Sequence, residues 1–167
     1  RKDGKPIALE RSQPQQALYF SDGNDASTGG IQYVSLGFGG QITLALDRKL
    51  CDRLGSDVYL YETSYGNPSF YDYPEQAEVF VSQDAENWIS LGLTNPVDSD
   101  TNCAAKLDSD FDFLNTGFDW IKYIKVVDVT NPFAKKLDKM TCEESPIFAF
   151  NNAADGFDLD AIETIRQ

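Results

Sequence analysis

The chain has 167 residues, 41% of them apolar, with 27 acidic against 14 basic side chains, a net charge of −13 and no histidine. Without histidine there is no Ser-His-Asp or Cys-His catalytic pair and no imidazole-ligated zinc, and the commonest general base is missing. The acidic balance argues against nucleic acid or an anionic membrane as partner, since both demand a basic footprint, and leaves cations, neutral molecules and basic groups.

The length fits a single domain spanning 1–167, because domains of roughly 100–200 residues can bury a real core. The apolar fraction is too high for a disordered acidic tail. No apolar run approaches the ~18 residues that a membrane-crossing helix needs. The sequence opens at Arg1 without a charged-then-apolar leader, which is the expectation for a mature protein or an excised module of a larger secreted or surface protein.

Apolar residues alternate with a period of two along most of the chain, the signature of strands. The first two expected strands, Gln32–Leu36 and Gln41–Leu46, flank Gly37-Phe38-Gly39-Gly40, a cluster suited to a tight hairpin. Asp57–Thr63 and Glu78–Ser82 follow, rich in the β-branched and aromatic residues that fit a pleated surface. After a polar turn at Gln83–Glu86 come Asn87–Leu91, then Ile121–Val129 with Lys122 and Lys125 on one face, and finally Leu159–Ile165. The best helix candidate, Pro132–Met140, makes two turns at most. Many short strands between Gly, Pro, Asn and Asp clusters predict an all-β antiparallel sandwich with little helix. Three connections are long, Tyr65–Glu75, Thr94–Trp120 and Asn131–Asn152; loops of that length are commonly functional or held by a disulfide or metal.

Acids concentrate in those connections. Asp98, Asp100, Asp108, Asp110, Asp112 and Asp119 share one stretch, and Asp155, Asp158 and Asp160 share another. Crowded carboxylates repel unless a cation or hydrogen-bond donors intervene, and Ca²⁺, which takes six to eight oxygen ligands, is the natural candidate. Asp108-x-Asp110-x-Asp112 does not make an EF-hand: Phe113 stands where Gly is needed and flanking helices are missing. Phe111 and Phe113 inward with Asp110 and Asp112 outward on a strand is the plainer reading. In the segment Asp155-Gly156-Phe157-Asp158-Leu159-Asp160, Gly156 permits a bend, and Glu62 from another strand completes a candidate metal set of Glu62, Asp155, Asp158 and Asp160. The alternative is a group of solvated aspartates at a turn.

Glu62, Glu75 and Glu78 are candidate carboxylates for glycoside hydrolysis, but no spacing distinguishes them. Gly37–Gly40 precedes a strand, so it is not a dinucleotide loop. Tyr65, Tyr71 and Tyr73, with Asn67 and Asp72 as polar anchors, form the candidate ligand-binding loop, since exposed aromatic faces accept sugars and peptide side chains. The competing reading folds those rings onto the sandwich edge. Cys103 and Cys142 lie in polar, loop-like sequence and are the candidate pair for one disulfide in an oxidising compartment, leaving Cys51 over. Three unpaired thiols in a reducing compartment are the alternative.

Val34-Ser35-Leu36-Gly37-Phe38-Gly39-Gly40-Gln41-Ile42-Thr43-Leu44 resembles the strand-turn-strand of a family of secreted bacterial surface domains, adhesin-like and notably of Bacteroidota. Further motifs match in order: Glu62 ending a strand before Thr63–Pro68, Tyr73-Pro74-Glu75 before the next strand, Asp84 and Trp88 in a turn, Tyr123–Asp128, and the closing Asp155–Asp160. The resemblance spans Ala17–Ile165. It departs at Ala85, where relatives carry Gly, and at Phe70, where relatives often carry the partner of a cysteine near Cys103; that departure favours Cys142 as the partner. The resemblance implies a jelly-roll-like sandwich similar to discoidin-type and carbohydrate-binding modules, which hold a structural Ca²⁺ and bind ligands with loops at one end. It is remotely similar to calcium-dependent peptide-binding modules of large adhesins. The expectation is therefore a non-catalytic, extracellular, calcium-dependent glycan- or peptide-binding module, monomeric in isolation, with no nucleic acid partner and no membrane insertion. A structural spacer is the first alternative and a glycoside hydrolase the second.

Overall fold

The computed structural model describes residues 1–18, 21, 32–63, 71–95, 108–138, 141 and 143–165. Within them lie ten strands: β1 Val34–Ser35, β2 Gln41–Cys51, β3 Val58–Glu62, β4 Ala77–Ser82, β5 Ile89–Leu93, β6 Ser109–Phe111, β7 Trp120–Asp128, β8 Lys135–Leu137, β9 Glu144–Phe148 and β10 Asp158–Thr164. The helical content of the described residues is three short 3₁₀ segments. One sheet has the order β1-β10-β3-β6 and the other β2-β7-β4-β5, every pairing being antiparallel. Successive strands thus alternate between sheets, except for the β4–β5 hairpin, which is the jelly-roll order. β8 and β9 form a separate ribbon. The expected all-β, antiparallel, jelly-roll-like sandwich is the fold.

The core follows from period-two burial. Val58 and Leu60, Val79 and Val81, and Ile124 and Val126 point inward from both sheets, and Phe113, Phe157 and Leu159 join them in one cluster. Each such side chain contributes about 1.5–3 kcal/mol when removed from water. Phe111 and Phe113 are buried while Asp110 and Asp112 are exposed, as the strand reading requires. Ile121 and Ile124 both face the core although three residues apart, because the β2–β7 register shifts between Ala45 and Leu50. That irregularity leaves Lys122 and Lys125 on the outer side, where the Lys125 ammonium lies 4.3 Å from the Trp88 ring centre.

Two local expectations are corrected. Gly37–Gly40 is not a hairpin: β1 pairs with β10 and β2 with β7, so the segment crosses from one sheet to the other. Asp128 decides this. Its Oδ2 accepts the Gly39 N–H at 2.8 Å and its own N–H donates to the Gly40 carbonyl at 2.8 Å, which ties the turn to the end of β7. A Cβ at Gly40 would lie 1.8 Å from the Leu36 carbonyl oxygen, so only glycine fits. The second correction is at Pro132–Met140. Its described part holds strand β8, not helix, because β9 and the Tyr71 carbonyl take up its backbone groups.

Residues 1–18 run along one end of the sandwich. The Lys2 and Asp3 amides donate to the carbonyls of Ala154 and Asn152. No helix among the described residues is long and apolar enough to cross a membrane. Cys51 is an exposed, free thiol at the end of β2, whereas Cys103 and Cys142 lie outside the described residues.

Candidate functional site

Three strands carry their inward phase one step too far for a purely apolar core. In β3 the buried series is Val58, Leu60, Glu62; in β7 it ends Ile124, Val126, Asp128; β10 begins with buried Asp158. Because side chains two apart share a sheet face, the pattern that buries the valines also carries these acids inside, at one end of the sandwich. Glu75, just before β4, and Asp155, just before Gly156, are buried there as well.

The Gly156 bend makes this convergence possible. Its φ is +77°, and a Cβ would stand 2.9 Å from Asp128 Oδ1 and 3.0 Å from the Gly37 carbonyl carbon. Phe157 then enters the core, its amide donating to Asp128 Oδ1 at 2.9 Å and its carbonyl accepting from Leu36. Asp128 is therefore a clamp between two loops, with both oxygens occupied by backbone donors.

Its neighbours are far less well satisfied. Glu62 is 6% exposed, and neither of its carboxylate oxygens makes a hydrogen bond of good geometry, the Asn95 side chain and the Glu75 carboxyl being its polar neighbours. Burial, and next the charge of Asp158, push its carboxyl well above the ordinary value. Glu75 is likewise 6% exposed with Oε2 unpartnered, and burial followed by Asp158 and Glu62 raises it well above normal. Asp158 takes the Ser35 hydroxyl at 2.5 Å, yet burial, reinforced by Asp155, still pushes it up to about 8. Tyr33, buried beside Asp158 and Arg11, is pushed up to about 12, chiefly by burial.

Among the described residues, one cation reaches the cluster. Arg11 grips Asp155 with both guanidinium nitrogens, Nη2 to Oδ2 at 2.7 Å and Nη1 to Oδ1 at 3.1 Å. That ion pair offsets the charge of Asp155, although Oδ2 gains no hydrogen bond of good geometry, and leaves Glu62, Glu75 and Asp158 to repel one another. A cavity of about 440 Å³ opens onto the cluster, with Tyr73, Arg11, Glu75, Asp155 and Asp158 in its wall. Glu62 is not part of that wall.

Of the metal residues expected from sequence, Glu62, Asp155 and Asp158 do converge. Asp160 is buried but its Oδ2 accepts the Ser21 hydroxyl at 2.7 Å, on the far side of a register shift between Leu159 and Ala161. Of the expected ligand-binding residues, Tyr73 lines the cavity. Asp72 pairs with Lys136 at 3.0 Å and the Tyr71 carbonyl accepts the Leu137 amide, so both fasten their loop to β8. Tyr65 and Asn67 lie outside the described residues. Glu75 and Asp128 were not in the expected metal set. The signal for Asp128 was present, since Ile124-x-Val126-x-Asp128 continues an inward phase into an acid.

A second acidic grouping has a different character. Asp52, Asp57 and Asp112 present carboxylate oxygens within 4.8 Å of one another, a spacing that no other described trio of potential ligands matches. Asp57, however, accepts the amides of Arg53 and Phe113, and Asp112 accepts that of Leu114. Compared with family models, curated proteins and solved structures, the chain finds no match.

Proposed function

We propose that this chain is a non-catalytic, calcium-dependent ligand-binding module of an extracellular bacterial surface protein, with Glu62, Glu75 and Asp158, whose ligand oxygens do not all lie within 4.8 Å of one another, drawing together around the cation. One observation carries the reading: the Glu62 carboxylate sits 6% exposed with neither oxygen in a hydrogen bond of good geometry, against two further buried carboxylates. An uncompensated buried charge is expensive, and two of them side by side more so. A bound cation removes both costs.

The donors are all carboxylate oxygens in a chain without histidine, which favours a hard cation with a high oxygen count, hence Ca²⁺ over zinc. Asp155, neutralised by Arg11, and Asp128, occupied by backbone amides, shape the site without spending their charge on the ion. Extracellular calcium modules work at dissociation constants of about 10⁻⁴–10⁻³ M, and three clustered carboxylates with a partly open coordination shell suit that range. The resemblance to secreted adhesin-like domains supports the location. A catalytic reading has less support, since Glu62, the buried carboxylate with the fewest donors, is not among the residues that line the cavity.

The test is titration of chelator-treated protein with CaCl₂ by calorimetry, with elemental analysis of protein purified without chelator. The reading expects calcium near one equivalent, and a titration silent in Glu62→Gln. A wild-type protein that neither retains nor takes up calcium is a spacer, or binds by other means.

A further inference from the structure

The N-terminal segment supplies part of the cavity wall, Ala8, Glu10 and Arg11 lining it together with Tyr73, Glu75 and Asp155 from the body of the sandwich. We infer that Asp155 and this cavity form a docking site for an arginine side chain of a partner polypeptide, with the N-terminal segment a strap whose Arg11 is the resident competitor. The inference goes beyond the calcium reading and does not rest on it, since Asp155 stands outside the cation set and every contact used below is made by the chain's own side chains.

The strap is lightly held. No side chain before Ala17 is buried, so little apolar burial fastens it. Among the described residues, the strap's backbone amides that reach the body are those of Lys2 and Asp3, on the carbonyls of Ala154 and Asn152. Cations make the other strong contacts. Lys2 Nζ donates to the Phe150 carbonyl at 3.2 Å and lies 5.1 Å and 5.6 Å from the Phe133 and Phe148 ring centres, and Arg11 pairs with Asp155. A segment with so few buried contacts opens at far lower cost than global unfolding.

Arg11 also fits the site imperfectly. Asp155 Oδ2 lies 2.7 Å from Nη2 yet gains no hydrogen bond of good geometry. The Tyr33 hydroxyl, 3% exposed and beside Arg11, has no partner, and neither has Glu75 Oε2 in a residue 6% exposed in the cavity wall. A guanidinium carries five N–H donors, enough to serve these atoms if it is seated differently. The strap meanwhile leaves a cavity of about 440 Å³ unfilled and its own Leu9 74% exposed. Arg11 is tethered by the chain to buried Ala17, six residues on. An arginine from another chain has no such tether.

The surroundings choose the chemistry of the occupant. Glu10, Glu75, Asp155 and Asp158 line the cavity against Arg11 alone, so anionic ligands are repelled. Displacing Arg11 leaves Asp155 buried and unmatched, which is costly, so the incoming group must itself be a cation. A planar fork meets two carboxylate oxygens at once, whereas an ammonium is a point charge, and this favours arginine over lysine. Tyr73, its ring centre 6.3 Å from that of Phe150, adds an aromatic face of the kind on which guanidinium groups stack.

The test is an NMR titration in EGTA with an N-acetylated, C-amidated tripeptide carrying arginine between two alanines, and with its citrulline analogue, which has the same shape without the charge. A competitor that holds the site about nine-tenths of the time weakens apparent affinity about tenfold, so Arg11→Gln is expected to bind the arginine peptide about tenfold or more tighter than the wild type. Lys2→Ala, which loosens the strap without touching Asp155, is expected to tighten it less. Asp155→Asn removes binding, and the citrulline peptide is not bound by any of these proteins. Retained exchange protection of the Gly39 and Phe157 amides, both held by Asp128, shows that each variant keeps this end of the sandwich folded. The inference is overturned by an arginine peptide silent against both Arg11→Gln and Lys2→Ala, by equal binding of the citrulline peptide, or by binding undiminished in Asp155→Asn. Calorimetry with CaCl₂ tests the cation site separately, and either result can fail while the other stands.

Discussion

Two groups of carboxylates sit at opposite ends of β3, and they differ in what surrounds them more than in how close they are. At the Asp57 end, Asp52, Asp57 and Asp112 crowd within 4.8 Å. Backbone amides of Arg53, Phe113 and Leu114 point at two of the three, and Asp112 is exposed. At the Glu62 end, the acids are more deeply buried, and Glu62 has the side chains of Asn95 and Glu75 beside it but no backbone amide and no hydrogen bond of good geometry. Proximity of acids therefore does not mark a cation site. A turn can absorb several aspartates if it supplies N–H groups, whereas an inward-facing strand residue has no backbone amide free to offer.

That contrast is sharpest under calcium. A ligand at one hundred times its dissociation constant stabilises a protein by about 2.7 kcal/mol, which for a chain of this size raises Tm by about 5–11 °C. The increment, read by thermal melts in CaCl₂ against EGTA, is expected to vanish in Glu62→Gln and to persist in Asp112→Asn. The reverse pattern would place the ion at the Asp57 end and break the comparison.

The next effect is the direction of the pH dependence. A carboxyl whose pKa is raised by folding holds protons that the unfolded chain gives up, so stability falls as pH rises between the two values. For Asp158 that window runs from the ordinary carboxyl value of about 4 to about 8, and burial shifts Glu62 and Glu75 in the same direction. In EGTA, Tm is expected to decline from pH 5 towards pH 8, less steeply in Glu62→Gln. In CaCl₂ the decline is expected to flatten or reverse, because the ion binds the deprotonated cluster. A calcium-free protein more stable at pH 8 than at pH 5 would contradict the arrangement. Asp84 has the opposite sign: amides of Asn87 and Glu86 hold it below its ordinary value, so its share of stability is present above about pH 4 and lost as pH falls.

The smallest expected effect concerns the turn that Asp84 organises. Ala85 has φ +64°, in the left-handed region, which costs a non-glycine residue about 1–2 kcal/mol. Glycine relieves that strain but is more flexible in the unfolded chain, so Ala85→Gly is expected to raise Tm by about 2–4 °C, equally with and without calcium. A calcium-dependent change there would couple the turn to the cluster and blur the distinction between the two ends.

Much of this was legible in the residues. Val58-x-Leu60-x-Glu62 announced both the strand and the acid at its end, and Asp155-Gly156-Phe157-Asp158 announced the bend. The glycine cluster at Gly37–Gly40 misled, because a hairpin and a sheet-to-sheet crossing ask for the same positive-φ residues. Only the distant carboxylate of Asp128 distinguishes them. Asp160 misled for a related reason: alternation put it on the face of Asp158, but the register shift at Leu159/Ala161 breaks that phase.

The sequence by itself determined that the chain is an acidic, histidine-free, all-β domain whose strands carry acids at their ends, since composition and two-residue alternation are local properties that survive without a fold. Tertiary structure alone decided which acids meet. Glu62, Glu75 and Asp158 come from segments far apart in the chain. Whether each finds an arginine, an amide or nothing depends on the sheet order and on Arg11 arriving from the N-terminal segment. Desolvation and missing donors belong to that assembled end of the sandwich, not to any stretch of residues.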